Sequence, residues 1–286
     1  MSALIRLIRP KHWVKNAFVG APLFFTPDAV NAANVTAVAL GILAFCAAAS
    51  AVYILNDWCD READRLHPAK RTRPIASRAV SGKAALGLAV ALLAIAAAAA
   101  TRLPELFGLL LAVYLLLNVA YSLRLKHVSL LDVMIVALGF VLRVEAGAAA
   151  VGIVPTVWIV VCTGLLALFL ALAKRRDDLT AAMDAAHRRA LDGYNLRFVD
   201  AALAAVLGAL LVSYLVYTTD AAAIRRYGTD RLYLTAPFVV AGVLRYLQVA
   251  LVEERSGSPT DLALGDRFLL VCVAGWVAVF GWLIYA

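Results

Sequence analysis

The sequence predicts an all-α integral membrane protein, and three observations lead there. Of its 286 residues 64% are hydrophobic and only 16% charged, a balance foreign to soluble domains. The apolar residues gather into nine runs, each close to the ~20 residues a helix needs to cross a bilayer. The basic residues crowd onto alternate loops, the signature of a fixed membrane orientation.

The nine runs cover approximately 16–32, 36–55, 83–101, 104–121, 130–150, 156–173, 198–218, 232–250 and 267–286. The first is short and holds Pro22 and Pro27, which remove backbone donors from a helix. The third is alanine-rich from Ala94 to Ala100, so neighbouring helices can approach it closely. No 20–50-residue repeat and no long linker interrupts the chain, so residues 1–286 read as a single transmembrane helical domain. With the N-terminus in the cytoplasm, 21 of the 27 Lys and Arg side chains lie inside. Only Arg102, Arg225, Arg226 and Arg231 lie outside, and Arg143 and Arg245 fall within spans. This orientation puts Asn56–Arg73, Tyr121–His127, Lys174–Arg197 and Glu253–Arg267 on the cytoplasmic face.

Composition also excludes function classes. The net charge of +8 belongs to these loops, and no nucleic-acid-binding motif accompanies it. The cysteines at 46, 59, 162 and 272 form no Cys-x-x-Cys pair, so neither a disulfide framework nor zinc is expected. The basic N-terminal residues precede no cleavable signal sequence. No phosphate-binding glycine loop, dinucleotide fingerprint or nucleophile elbow occurs.

The chemistry concentrates in Asn56–Arg73. Read as helix continuing from the preceding run, Asn56, Asp60 and Asp64 stand at i, i+4 and i+8, with Asp57 beside them. Carboxylates on one face repel and require a cation. A row of hard oxygens completed by water and phosphate suits Mg²⁺. Pro68 ends the helix, and Lys70, Arg71 and Arg73 follow as a basic arm able to hold phosphate. Acids for a metal beside bases for phosphate suit a reaction that expels diphosphate. The plainer reading, a polar loop whose bases only set topology, leaves the acidic spacing unexplained.

Other constellations stay open between site and scaffold. Lys11 and Lys15, at i and i+4, either face phosphate together or anchor the chain at the interface with Trp13. Lys126 and Asp132 line a site or merely bound a helix. Arg143 and Glu145 lie inside a span, where a charge costs on the order of 2.5–3.5 kcal/mol. They should face the bundle interior, in a functional role or as a structural ion pair. Lys174 and Asp178 share a helical face, with Arg175 adjacent, and could hold phosphate and help hold a metal. Arg245, Asp261, Asp266 and Arg267 are weaker candidates, and His67 is the one histidine within the acidic stretch.

Asn56-Asp57-x-x-Asp60-x-x-x-Asp64, followed by Arg65, His67-Pro68, Lys70-Arg71 and Arg73-Pro74, resembles the first aspartate-rich motif of the UbiA superfamily of intramembrane prenyltransferases. That resemblance implies a nine-helix bundle with a polar site at its cytoplasmic side. The opening Arg9-Pro10-Lys11-x-Trp13-Val14-Lys15-Asn16 is similar to the branch that carries phosphoribosyl groups to polyprenyl phosphates. So are Tyr121-Ser122, Leu125-Lys126-His127, Leu131-Asp132, Gly139-Phe140 with Arg143, Lys174-Arg175 and Leu244-Arg245-Tyr246. Aromatic prenyltransferases of the superfamily carry a second Asp-x-x-x-Asp motif, where this chain has Lys174–Asp178.

The branch resemblance implies a Mg²⁺-dependent transferase in a bacterial inner membrane, its site facing the cytoplasm. It would move a 5-phosphoribosyl group from phosphoribosyl diphosphate (PRPP) to a decaprenyl-type polyprenyl phosphate, feeding arabinosyl donors of the envelope. Homo-oligomers suit such bundles. Asp57, Asp60 and Asp64 would be the catalytic and, with Asn56, the metal-holding residues. Lys15, Asn56, Arg65, His67, Lys70, Arg71, Arg73, Tyr121, Lys126, Lys174 and Arg175 would bind substrate. The alternative is an aromatic prenyltransferase using a polyprenyl diphosphate, and a transporter with buried charge is a more distant one.

Overall fold

The computed structural model describes residues 3–66, 68, 70–181, 193–253 and 259–286. Among them every regular element is helical, and eight helices are long and apolar enough to cross a membrane. The chain forms two compact units, Met1–Pro155 and Thr156–Ala286.

The first unit contains α1 (Ala3–Ile8), a 3₁₀ segment (Pro10–Gly20), α2 (Ala21–Phe24), α3 (Ala32–Cys59), α4 (Arg61–Leu66), α5 (Gly82–Ala100), α6 (Glu105–Leu123) and α7 (Leu131–Ala150). Asn31 and Ser81 start α3 and α5 by accepting from the backbone N–H groups of Asn34 and Ala84. The predicted first span, 16–32, is not one helix. Pro10, Pro22 and Pro27 divide the path from 10 to 29 into 3₁₀ and short α pieces. The change of period matters, because a 3₁₀ helix repeats every three residues. Trp13, Asn16 and Val19 therefore share one face, and His12, Lys15 and Phe18 another. Lys11 and Lys15, expected together at i and i+4, lie about 120° apart around the axis.

The core of this unit is built from small and aromatic residues. Ala44, Ala47 and Ala48 of α3 pack with Ala96 and Ala99 of α5, Phe107, Leu111 and Tyr114 of α6, and Leu142 and Ala146 of α7. Phe45 sits at the centre, in edge contact with Phe107. The 3₁₀ segment lies against α3 and α7. Gly147 makes this possible, because a Cβ there would collide with the backbone of Val19. A second apolar cluster joins Leu7, Ile54, Ile75, Val80 and Ala85 near the end of α3.

α3 has 28 residues, roughly 42 Å at the helical rise, well beyond the ~30 Å hydrocarbon core of a bilayer. Its last turns can therefore carry polar groups out of the apolar slab.

The second unit contains α8 (Val157–Ala181), α9 (Leu196–Thr219), α10 (Ala221–Tyr227), α11 (Ala236–Leu251), α12 (Pro259–Gly265) and α13 (Arg267–Tyr285). α8 lies along α9, and α11 along α13. Asn195 and Asp266 cap α9 and α13. Tyr214, Tyr217, Tyr227, Trp276 and Phe280 form an aromatic cluster. Within it the Trp276 indole donates to the Tyr214 hydroxyl at 2.6 Å.

Candidate active site

The acidic row stands where the sequence predicts it, with one local break. α3 ends at Cys59 and α4 begins at Arg61, yet the backbone bonds Asp60 N–H to Asn56 O (2.9 Å) and Asp64 N–H to Asp60 O (2.8 Å) carry the helical path through. Asp57 and Asp64 are buried, and Asp60 is half-buried.

Three bases meet these three carboxylates. Arg73 Nη1 donates to Asp64 Oδ2 at 2.8 Å and to Asp57 Oδ1 at 3.2 Å, bridging positions about two turns apart. Arg9 Nη2 donates to the same Asp57 oxygen at 2.5 Å. Lys126 pairs with Asp60 and reaches Asn56 Oδ1 at 3.4 Å, while the Asn56 amide donates to Asp60 Oδ2 at 3.0 Å. Asn56, Asp60 and Lys126 thus close a triangle beside the Asp57–Arg73–Asp64 bridge.

Local anchoring explains which base of the loop arrives. Pro74, Ile75 and Ala76, directly after Arg73, are buried, and Ile75 and Val80 enter the apolar cluster beneath. Turn bonds from Ser77 N–H to Arg73 O and from Val80 N–H to Pro74 O fix the loop. Arg71, two residues earlier and outside this anchor, is exposed, and Lys70 is half-buried. Arg65, also expected to bind substrate, is half-buried. It commits its guanidinium to Glu62 (2.8 Å) and the Ala76 carbonyl (3.1 Å) rather than to the acid row. Its place in the helix turns it outward while Asp64 turns inward. His67 lies outside the described residues. Tyr121 is half-buried near the end of α6.

The N-terminal segment is tied to the bundle at each 3₁₀ turn. The Trp13 indole donates to Ser50 Oγ at 3.0 Å. Asn16, fully buried, donates to Cys46 Sγ at 3.1 Å and accepts from Arg143 Nε at 2.8 Å. His12 and Phe18, which flank Lys15 on its face, pack on Tyr53 and Phe140. The segment begins at Arg9, whose backbone is left-handed at φ 52°, ψ 60°. Its guanidinium also stands over the Tyr53 ring.

Sequence reasoning placed Arg9 only in a basic opening motif, and the structure brings it into the acid row. The spacing of Trp13, Asn16 and Val19 by three was the available signal. Arg143 corrects another expectation. Among the described residues no carboxylate pairs with it. Besides Asn16, it donates to Gly139 O at 2.7 Å and to the Tyr114 hydroxyl at 2.9 Å, and lies over the rings of Phe45, Tyr114 and Phe140. Asp132 is buried in the first turn of α7.

In the second unit the predicted Lys174–Asp178 pairing occurs, loosely, at 3.9 Å, and Arg175 is nearer at 3.0 Å. Arg176 is buried and paired with Asp200 at 2.8 Å. Arg245 holds Asp266 and Glu253 at 2.8 and 2.7 Å. Asp261 is exposed.

The donor set can be tested against a divalent metal. No group of three His, Cys, Asp or Glu side chains among the described residues stands ready-gathered as ligands. Two carboxylates do converge on a single cationic atom, Arg73 Nη1, with Asp60 and Asn56 in the same row. Hard oxygens converging on a cation are the donors Mg²⁺ prefers. The residues therefore fit Mg²⁺ by type, with a guanidinium at the point of convergence.

The family model of the UbiA prenyltransferase family matches residues 17–271. The chain is 34% identical to a decaprenyl-phosphate phosphoribosyltransferase of Corynebacterium glutamicum, over 96% of this chain and 84% of that one. It is 33% identical to the enzyme of that name from Mycolicibacterium smegmatis, over 100% and 93%. Its fold matches a UbiA homologue from Archaeoglobus fulgidus, solved with DMAPP and Mg²⁺, at a TM-score of 0.71, 22% identity and 100% of both chains. A homologue from Aeropyrum pernix matches at 0.68 and 20%, over 97% of each. An all-helical, multi-pass membrane chain with this acid row, matched by this family model across most of its length, belongs to the UbiA prenyltransferase family.

Proposed function

We propose that the protein transfers a 5-phosphoribosyl group from PRPP to a decaprenyl-type polyprenyl phosphate, releasing diphosphate. The observation that carries the reading is the acid row, in which Asp57, Asp60 and Asp64 alternate with Arg9, Arg73 and Lys126. The names of relatives at 33–34% identity over nearly the whole chain support the substrate pair. The reading treats residues 1–286 as one membrane domain in a bacterial inner membrane, with its N-terminus and site on the cytoplasmic side.

Asp57, Asp60 and Asp64, with Asn56, would hold Mg²⁺, which when bound offsets the charge of a departing diphosphate. Arg73 and Lys126 stand within the same row and can donate to phosphate oxygens as the C1–O bond breaks. Placing these cations on the leaving-group side stabilises the negative charge growing there while the ribose ring becomes oxocarbenium-like. The lipid phosphate is already anionic and attacks C1 without a general base. Lys15, Lys70, Arg71, Lys174 and Arg175 are the further bases assigned to the sugar and lipid phosphates.

The test is transfer of label from PRPP into a lipid-extractable product, in membranes supplied with Mg²⁺ and polyprenyl phosphate. Product should vanish with a chelator and in Asp60→Ala. A folded wild-type protein that makes none with several chain lengths, yet alkylates an aromatic acceptor from a prenyl diphosphate, would refute the assignment.

A further inference from the structure

Among the described residues, the ion pairs of the acid row balance before any ligand arrives. Its three carboxylates are matched by three bases, and each base is committed. Arg73 bridges Asp57 and Asp64, Arg9 holds Asp57, and Lys126 holds Asp60. A divalent cation alone would enter a neutral site and meet the Arg73 guanidinium where the carboxylates converge. A diphosphate alone would meet the carboxylates. Both obstacles vanish when the two come together, because carboxylates then face metal while the freed bases face phosphate.

Arg9 carries a second mark. Its left-handed backbone is uncommon and strained for a residue with a Cβ. The bonds at Trp13 and Asn16 hold the following segment, so this geometry aims the guanidinium at Asp57.

We propose that Arg9, Arg73 and Lys126 are exchangeable counter-ions that neutralise the acid row in the free protein and pass to diphosphate oxygens when metal and diphosphate bind together. This makes Arg9 a substrate-binding residue of the site. The inference takes from the proposed function only that the ligand bears a diphosphate. Metal and diphosphate then each raise the affinity for the other by the same factor, as linkage requires.

The test uses the purified full-length chain in nanodiscs, with Mg²⁺ and inorganic diphosphate as calorimetric probes. In wild type, saturating diphosphate should tighten Mg²⁺ binding by about tenfold or more, the scale of one hydrogen bond between charged groups. Arg9→Gly keeps a residue at home in the left-handed region and removes only the side chain. It and Arg73→Gln should bind Mg²⁺ alone more tightly than wild type. Each should bind diphosphate, at saturating Mg²⁺, about tenfold more weakly. Opposite signs for the two ligands in one variant are what a merely structural role would not produce. Equal Mg²⁺ affinity with and without diphosphate in wild type would overturn the inference, as would an Arg9→Gly chain that binds both ligands like wild type. Should either variant fail to fold, the other and Lys126→Gln, which frees Asp60 in the same way, decide by the same opposite signs. Because the probes contain no ribose or lipid, coupling without transfer product refutes the proposed reaction alone, and product without coupling refutes the exchange alone.

Discussion

Gly147→Ala should loosen the N-terminal segment and with it the acid row. An ideal Cβ at 147 would lie 2.7 Å from the Val19 carbonyl carbon and 3.0 Å from its Cα, and closer still to the oxygen. Carbon contacts are comfortable at ~3.5–4.0 Å, so backbone must yield by about 1 Å. Neither side is a flexible side-chain tip, since α7 presents a helix and Val19 its main chain. Overpacking of this kind costs ~1–3 kcal/mol. Gly108→Ala is the matched control in the same unit, because a Cβ there meets nothing within 4 Å. Helix propensity alone should make that variant up to ~1 kcal/mol more stable. The propensity gain applies to both helices, so the two variants should differ by the overpacking cost of ~1–3 kcal/mol, read as the difference in denaturant midpoints at unchanged slope. The yielding segment carries Asn16 and Arg9, so Gly147→Ala should also weaken diphosphate binding while Gly108→Ala leaves it intact. Equal stability of the two variants would refute the close approach of Val19 to α7.

Three further outcomes follow from individual contacts. Asn16→Leu and Arg143→Leu should each strand a buried polar partner at ~1–3 kcal/mol, while the double variant strands fewer groups. Their coupling should reach at least ~1 kcal/mol in a double-mutant cycle, and additive effects would sink the contact. The Arg245 side chain, followed by the Leu269 backbone N–H, holds the Asp266 carboxyl below its ordinary 3.8. A lowered carboxylate contributes stability that is present above that ordinary value and lost as pH falls through the lowered one. Asp266→Asn, which keeps a capping side chain, should remove this acid-limb loss from unfolding measured against pH, and superimposable limbs would contradict it. Cys59 is exposed, whereas Cys46 and Cys272 are buried. A membrane-impermeant maleimide should label Cys59 in inverted vesicles but not in intact cells, and the opposite pattern would reverse the proposed orientation.

The long helices were legible because a bilayer imposes a length and an apolar composition that few other environments share. The acid row was legible because helical spacing alone puts Asn56, Asp60 and Asp64 on one face. The segment from Pro10 to Ala29 was not, because α and 3₁₀ periods differ by less than one residue per turn and three prolines obscure both. That one difference separated Lys11 from Lys15. The bases were legible as a class but not one by one. Arg73 enters the row and Arg71 does not because Ile75 and Val80 pin one end of the loop, a fact of tertiary packing. Lys126 reaches Asp60 across 66 positions of sequence, which no local pattern encodes. Arg143 invited a search for a carboxylate, and its charge is instead received by an amide, a hydroxyl, a carbonyl and three rings.

That reception has a consequence for how the protein is made. A lone guanidinium disfavours release of its helix into lipid. Every group that receives Arg143 precedes it in the chain, from Asn16 and Phe45 through Tyr114 to Gly139 and Phe140. Chains are synthesised and fold from the N-terminus. By the time α7 leaves the ribosome, its whole polar reception has already been translated, and the helix can enter the membrane against partners instead of against lipid. The order of segments along the gene thus doubles as an order of assembly. Moving the first sixteen residues behind α7, as a circular permutation would, should hinder insertion of that helix even though every contact of the finished fold could still form.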